Sequence, residues 1–209
     1  MKKLLILLFS IFLLSSPSVF AEDISEFEIE GISIGDSLLD YMTEEEILKQ
    51  IEKNKDIYYY LNEPNKYAEV FLNKEFPIYK NGLVFLVKNN STNQYVTNIN
   101  EKFTILHIRG MITYIEDFEG CIAKRDEIVE VLSGMFSNTQ KIENVWTSIR
   151  DPSGNSIFDD VRFKFDSGDE VIARCNNFEE IYRIQNQYSE GLDIAIETKE
   201  IYKWSIDYK

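Results

Sequence analysis

The pattern of apolar and polar positions predicts two amphipathic helices set among many short strands. Thr43 begins a capping box, in which its hydroxyl accepts a hydrogen bond from the third helical amide while Glu46 reaches back to the Thr43 amide. Apolar residues in the following turns share one face, so the spacing predicts a helix over residues 44–53. Apolar residues also recur at helical spacing over residues 119–137, which predicts the second amphipathic helix.

Alternation of apolar and polar residues predicts strands before, between and after these helices. The segment from Glu26 to Ile34 alternates along its length and is predicted to be one strand, and Arg109-Gly110 is predicted to make a tight reversal. The remaining predicted strands, rich in β-branched and aromatic residues, are 67–72, 83–87, 103–109, 111–115, 145–150, 157–165, 170–175 and 192–196. Because helices lie between runs of strands, the order predicts an α+β fold with a mainly antiparallel sheet.

The first 21 residues have the pattern of a secretory signal peptide. Lys2 and Lys3 precede an apolar run from Leu4 to Leu14, and small residues lead to a predicted cut between Ala21 and Glu22. A helix needs about 20 apolar residues to cross a bilayer, and this run is shorter. We therefore expect export to the periplasm or the medium, with no stable membrane anchor after cleavage.

The mature chain, residues 22–209, is long enough for a single α+β domain, with two subdomains meeting near residue 118 as the alternative. A chain of that length buries about 70% of its unfolded surface, so it needs no metal or dense disulfide framework to fold. Hydrophobic residues, 44% of the sequence, supply the core, and no cofactor is predicted. The formal net charge is −14, and loss of the two signal-peptide lysines lowers it to −16. A field of that sign argues against nucleic acid and anionic membrane surfaces as partners, although an acidic surface also serves solubility alone.

Gly31 to Gly35 has the G-x-S-x-G form of a nucleophile elbow, with Ser33 at the central position. The one histidine, His107, would have to serve as the general base. Strand alternation places Ile105, His107 and Arg109 on one face. Two interpretations stay open: a hydrolase that uses Ser33 with His107, or flexible glycines beside a strand together with a half-buried packing histidine.

Three aspartates in and after one turn form the candidate metal site. Together with Ser153 and Asn155 between them, Asp151, Asp159 and Asp160 have a short, oxygen-bearing spacing similar to that of a calcium loop. The complete EF-hand pattern is absent, because Ser156 replaces the required glycine and Arg162 replaces the bidentate glutamate. A weaker cation site or ordinary solvated turn carboxylates are the two interpretations.

The two cysteines, Cys121 and Cys175, are predicted to pair, because their number is even and the expected compartment is oxidising. Cys175 shares a strand face with Val171 and Ala173, and Cys121 opens the second predicted helix, whose apolar face would pack on the same sheet. The alternative is a reactive thiolate at Cys121, favoured by the helix N-terminus, acting with His107.

The opening of the mature chain resembles one that recurs in small exported bacterial proteins. The resemblance lies in the segment Ile29 to Tyr41, followed by Thr43 to Ile47. The resemblance extends further along the chain. It includes an aromatic-rich middle, a cysteine that opens a helix and a cysteine that closes a later strand. It implies a shared fold and carries no function. A fainter likeness, in Ile34 to Ser37 and the capped helix, links the chain to the small-protein A type of outer-membrane assembly lipoproteins.

The sequence thus predicts an exported, non-catalytic protein that binds an unknown protein partner or small ligand. One alternative is a hydrolase using Ser33 or Cys121 with His107. The other is a cation-dependent structural or adhesion protein that uses the aspartates of the candidate metal site.

Overall fold

The computed structural model describes residues 24–54, 66–89 and 102–207, so the predicted signal peptide 1–21 and its cleavage site lie outside the described residues. The helices are α1 (Glu44–Asn54), α2 (Phe118–Met135), α3 (Glu180–Asn186) and α4 (Lys199–Asp207). The strands are β1 (Glu28–Ile29), β2 (Ile32–Ser33), β3 (Tyr67–Leu72), β4 (Leu83–Lys88), β5 (Ile105–Thr113), β6 (Gln140–Thr147), β7 (Ile157–Lys164), β8 (Glu170–Asn177) and β9 (Gly191–Glu197). Ile24–Glu26 and Leu38–Asp40 form short 3₁₀ helices.

Seven strands form one antiparallel sheet in the order β3-β4-β5-β9-β8-β7-β6, and β1 pairs with β2 in a separate hairpin. The predicted α+β class with a mainly antiparallel sheet is therefore confirmed. The sheet joins strands from both sides of residue 118, because β5 pairs with β9 at its centre.

The first predicted strand, Glu26 to Ile34, is wrong as one element, since it folds into the β1–β2 hairpin. Glu30 and Gly31 make the turn, with φ angles of 54° and 77°. Two left-handed residues in succession are what a type I′ hairpin turn requires. Ile29 and Ile32 are both buried on either side of it, so apolar alternation alone did not reveal the turn.

The predicted reversal at Arg109-Gly110 is also wrong, because β5 runs straight through it. The predicted face of Ile105 is also wrong, because the register between β4 and β5 shifts. The shift lets Ile105 join Ile108 in the core, whereas His107 and Arg109 face the other side of the sheet. Ile105 therefore does not share a face with His107, because a bulge interrupts the strict alternation on which that prediction relied.

Both predicted helices are present with shifted ends. The helix predicted over 44–53 continues to Asn54, and the one predicted over 119–137 ends at Met135. Asp117 caps the start of α2 by accepting a hydrogen bond from the Gly120 amide at 3.0 Å. Helices α3 and α4 were not predicted, because each is short. Thr198 was a usable start signal for α4, since its hydroxyl accepts a hydrogen bond from the Ile201 amide at 3.4 Å. The strand predicted over 145–150 lies earlier, as β6.

Helix α2 covers one face of the sheet and buries its apolar side there. Val129 and Leu132 of α2 belong to the same core cluster as Val171 and Ala173 of β8. Cys121 and Cys175 form a disulfide between these two elements, with their Cα atoms 6.0 Å apart, which confirms the predicted pairing.

The opposite face of the sheet carries Arg109, Arg162 and Arg174, and we call it the cleft face. Helix α4 packs beside this face, where Ile201 is buried with Tyr67. The Tyr67 hydroxyl donates a hydrogen bond to Glu200 Oε1 at 2.6 Å, which anchors the start of α4 to β3. Within the described ranges, no helix combines the length and the apolar character needed to cross a bilayer.

Candidate ligand-binding cleft

A cleft of about 550 Å³ lies on the cleft face across five neighbouring strands, from β5 to β6. Tyr202 and Ser205 of α4 line one side of it, and Trp146 of β6 lines another. Because directly opposed residues of antiparallel strands share a face, the strand register arranges the cleft side chains in rows that cross the sheet.

The central row provides an apolar floor flanked by arginines. In register order across the five strands it reads Arg109, Ala195, Ile172, Arg162 and Ile142. Ala195 and Ile172 are buried. A ligand resting here would meet apolar atoms below and guanidinium donors at either side.

The row nearest α4 has a basic side chain beside an acidic one at each end. His107 lies opposite Glu197, and its Nδ1 is 3.5 Å from Glu197 Oε2. At the other end Lys164 Nζ lies 3.7 Å from Glu170 Oε1 and 5.6 Å from the centre of the Tyr202 ring. The row therefore places donors and acceptors side by side along one wall of the cleft.

The third row is organised around a buried carboxylate. Asp160, fully buried, accepts hydrogen bonds from Arg162 Nη2 at 2.9 Å and from Arg174 Nη2 at 3.1 Å. Burial acts to raise the pKa of Asp160, but the two guanidinium groups outweigh it and hold the pKa below its usual value. The ionised carboxylate thus fixes both arginines, and Arg174 also lies 5.6 Å from the Trp146 ring centre.

Three buried oxygen atoms on this face have no hydrogen-bond donor among the described residues. They are Oδ1 of Asp160, of Asn176 and of Asp193. Asn176 Nδ2 donates to Asp193 Oδ2 at 2.6 Å, so these two side chains are oriented while an oxygen of each stays unpaired. Asp193 lines the cleft and is 5% exposed. Leaving a buried acceptor unpaired costs about 1–3 kcal/mol, so these three oxygens, each closed to solvent, are a local cost of the polar packing on this face.

An aromatic strip continues from the cleft toward α3; its rings are Trp146, Phe158, Phe178, Tyr182 and Tyr188. Trp146 stacks on Phe158, with ring centres 4.3 Å apart and an interplanar angle of 14°. Phe158 meets Phe178 edge to face at 5.4 Å, and Phe178 lies 4.9 Å from Tyr188. The strip gives the rim of the cleft an apolar border of contacting rings.

The structure does not bring the predicted catalytic residues together. His107 lies on the cleft face, whereas Ser33 belongs to the hairpin whose Ile32 is buried in the core on the α2 side. The Ser33 amide donates to Asp36 Oδ2 at 3.0 Å, which is a turn contact. Cys121 forms the disulfide with Cys175 and therefore carries no thiol.

Asp151, the first aspartate of the candidate metal site, is used by its own turn. Its carboxylate accepts hydrogen bonds from the amides of Ser153 and Ser156, both at 2.9 Å, and from both hydroxyls. Burial acts to raise the pKa of Asp151, but these four hydrogen bonds outweigh it and lower the pKa to about 2. Asp151 is thus a structural carboxylate.

The other two aspartates of the candidate metal site point to opposite sides of β7. Asp159 faces α2 and accepts a hydrogen bond from Arg125, whereas Asp160 faces the cleft and binds Arg162 and Arg174. Successive residues of a strand alternate between faces. Among the described residues, no group of three or more His, Cys, Asp or Glu side chains is placed to hold a metal ion.

Sequence reasoning did not identify the basic residues of the cleft. Three of the six arginines in the chain, Arg109, Arg162 and Arg174, line it. The alternation of Val161 and Phe163 with Arg162 and Lys164 was a usable local signal, since it placed charged residues on one strand face. That the charged faces of five strands assemble into one cleft depends on the strand order.

Comparisons of the chain with protein-family models, with curated proteins and with solved structures each gave no match. The function is therefore inferred from the residues of the cleft.

Proposed function

We propose that the protein is an exported, non-catalytic binding protein whose ligand occupies the cleft on the sheet face opposite α2. The observation that carries this proposal is the distribution of charge. The chain has a formal net charge of −14, yet in the cleft the four basic side chains are matched only by three lining carboxylates and the buried Asp160. The charged residues that line it, apart from His107, are Arg109, Arg162, Lys164, Arg174, Glu170, Asp193 and Glu197.

The ligand that fits this lining is a small polar molecule with both hydrogen-bond donors and acceptors. Donors on the ligand would meet carboxylates that line the cleft, such as Glu197 and Asp193, and acceptors would meet the guanidinium groups. Ala195 and Ile172 offer an apolar floor between these polar groups. Because cationic and anionic groups nearly balance in the cleft, we expect a neutral or zwitterionic ligand rather than a strongly charged one.

Binding is preferred to catalysis because the candidate nucleophiles do not meet a base. Ser33 and His107 lie on opposite sides of the sheet, and Cys121 is part of a disulfide. Export is supported by that disulfide, since such bonds persist in oxidising compartments, and by the signal-peptide pattern of residues 1–21.

Ligand binding would be tested on the purified exported protein with a panel of neutral saccharides, free amino acids and dicarboxylates. Thermal shift followed by calorimetry should identify a neutral or zwitterionic binder. Trp146→Ala, which alters the rim of the cleft, should weaken that binder about tenfold, a loss of about 1.4 kcal/mol. The matched control is Ile149→Ala, since Ile149 is 91% exposed and does not line the cleft.

Two results would contradict the proposal. One is the absence of binding by every member of the panel. The other is a binder whose affinity is unaffected both by Trp146→Ala and by Tyr202→Ala, which alters the opposite side of the cleft.

A further inference from the structure

The two edge strands of the seven-stranded sheet differ in how their outer backbone is used. At the β3 edge, α1 supplies side-chain amides to the backbone. Gln50 Nε2 donates to Phe71 O at 2.6 Å, the Phe71 amide donates to Gln50 Oε1 at 2.7 Å, and Asn54 Nδ2 donates to Glu69 O at 3.3 Å. These contacts occupy the positions that an added strand would use, so β3 is closed to further pairing.

Among residues 24–54, 66–89 and 102–207, none gives the opposite edge, β6, such cover. All eight of its residues pair with β7 on the inner side. No hydrogen bond from elsewhere in the described part of the chain reaches its outer backbone groups. Two large apolar side chains of β6 are exposed, Val145 at 68% and Trp146 at 40%. A long, regular edge of this kind is a template for pairing with another strand.

The charges on β6 suit a second copy of the same strand. Lys141 and Glu143 are its two charged residues, so its net charge is zero within a strongly acidic chain. They lie on one face and form an ion pair at 2.8 Å. In an antiparallel pairing of two β6 strands centred on Ile142, Lys141 of each copy lies opposite Glu143 of the other. Registers centred on Lys141 or on Glu143 place like charges opposite each other, which is destabilising.

We infer that the protein forms a two-fold symmetric dimer in which the β6 strands of two copies pair antiparallel about Ile142. The paired segment, 140–144 of each copy, has the length of an ordinary strand. A lysine on an edge strand usually discourages pairing. In this register, however, the charge of Lys141 is neutralised by Glu143 of the other copy. The two sheets then form one continuous sheet. The association closes at two copies, because the same edge serves both partners.

The inference is tested by sedimentation of the purified exported protein over a range of concentrations at physiological salt, where long-range repulsion between acidic copies is screened. The mass should approach twice that of the monomer as concentration rises. Lys141→Glu and Glu143→Lys should each weaken the dimer about tenfold, because each puts like charges opposite one another at two symmetric positions. The double variant Lys141→Glu/Glu143→Lys should restore wild-type association.

The matched control is the same pair of reversals at Lys124 and Glu127, an exposed ion pair of 2.7 Å on α2. These variants should leave the dimer unchanged, and circular dichroism should show that every variant is folded. A monomer at all concentrations, an assembly larger than a dimer, or a double variant that fails to recover association would each overturn the inference.

Discussion

The ring of Tyr79 lies directly against the backbone of Gly110, in the middle of β5. A Cβ placed on Gly110 would stand 2.4 Å from Cδ1 of Tyr79, closer than any real side-chain contact. The ring has little room to retreat, since Tyr79 is only 7% exposed and Glu30 Oε1 accepts a hydrogen bond from its amide at 3.4 Å. Gly110 therefore leaves room for the Tyr79 ring, because it has no side chain in a strand whose other residues are mostly bulky.

Gly110→Ala should destabilise the protein by about 1–3 kcal/mol, because the added methyl group overpacks a closed site. The free energy of unfolding from urea titration measures this. Gly134→Ala is the matched control, since a Cβ at Gly134 in α2 would meet nothing within 4 Å. That change should stabilise by about 0.4–1 kcal/mol, because alanine in a compatible backbone conformation loses less conformational entropy on folding than glycine. Equal effects of the two substitutions would contradict the assignment.

Thr43→Ala should destabilise the protein by about 1 kcal/mol through loss of the α1 cap. The Glu46 amide donates to Thr43 Oγ1 at 3.3 Å, and the Thr43 amide donates to Glu46 Oε2 at 2.9 Å. Thr43→Ser keeps the hydroxyl and should retain most of the stability. Urea titration of both variants tests the cap, and a serine variant as unstable as the alanine one would argue against it.

Removal of the disulfide should cost about 4 kcal/mol in the chain-entropy model, because the bridge closes a loop with a sequence separation of 54. The variant Cys121→Ser/Cys175→Ser should therefore unfold at a markedly lower urea concentration than the wild type. Mass spectrometry of the unreduced protein should find one Cys121–Cys175 linked peptide and no alkylatable thiol. Two free thiols in protein taken from the periplasm would contradict the pairing.

Stability should fall in acid as the Asp151 carboxylate is protonated. Its pKa is lowered to about 2 in the folded protein, against about 3.9 in an unfolded chain. The stabilisation is therefore complete above about pH 4 and is lost as the pH falls toward 2. Asp151→Asn should lower the melting temperature at neutral pH and flatten its dependence on pH in this window. Asp166→Asn, at an exposed turn position, is the control and should leave the profile unchanged.

The mature protein should begin at Glu22 and be recovered from the periplasm or the medium. Leu8→Arg should leave the precursor in the cytoplasm, because a charge in the apolar segment costs about 2.5–3.5 kcal/mol for membrane insertion. N-terminal sequencing and cell fractionation measure the outcome. Recovery of an intact Met1 in a membrane fraction would contradict cleavage.

Features that depend on neighbouring residues could be predicted from the sequence. The α1 cap needs only Thr43 and Glu46, and both principal helices follow from apolar spacing over a few turns. The pairing of Cys121 with Cys175 followed from cysteine count, compartment and the facing of one helix and one strand. Each of these depends on short-range periodicity or on a unique pair of reactive groups, so no knowledge of strand order was required.

The cleft was decided only by the tertiary structure. Arg109 and Arg162 lie far apart in the chain and on strands that do not pair with each other. They share one row because β9 and β8, which lie between those strands, pair in matching register with each other and with both. Alternation within β7 alone separates Asp159 from Asp160, but only the tertiary structure shows that one meets Arg125 of α2 and the other the arginines of the cleft. Side-chain periodicity determines which face of its own strand a residue occupies. Which residues lie next to it across the sheet depends on register and strand order, and these arise from pairing between distant parts of the chain.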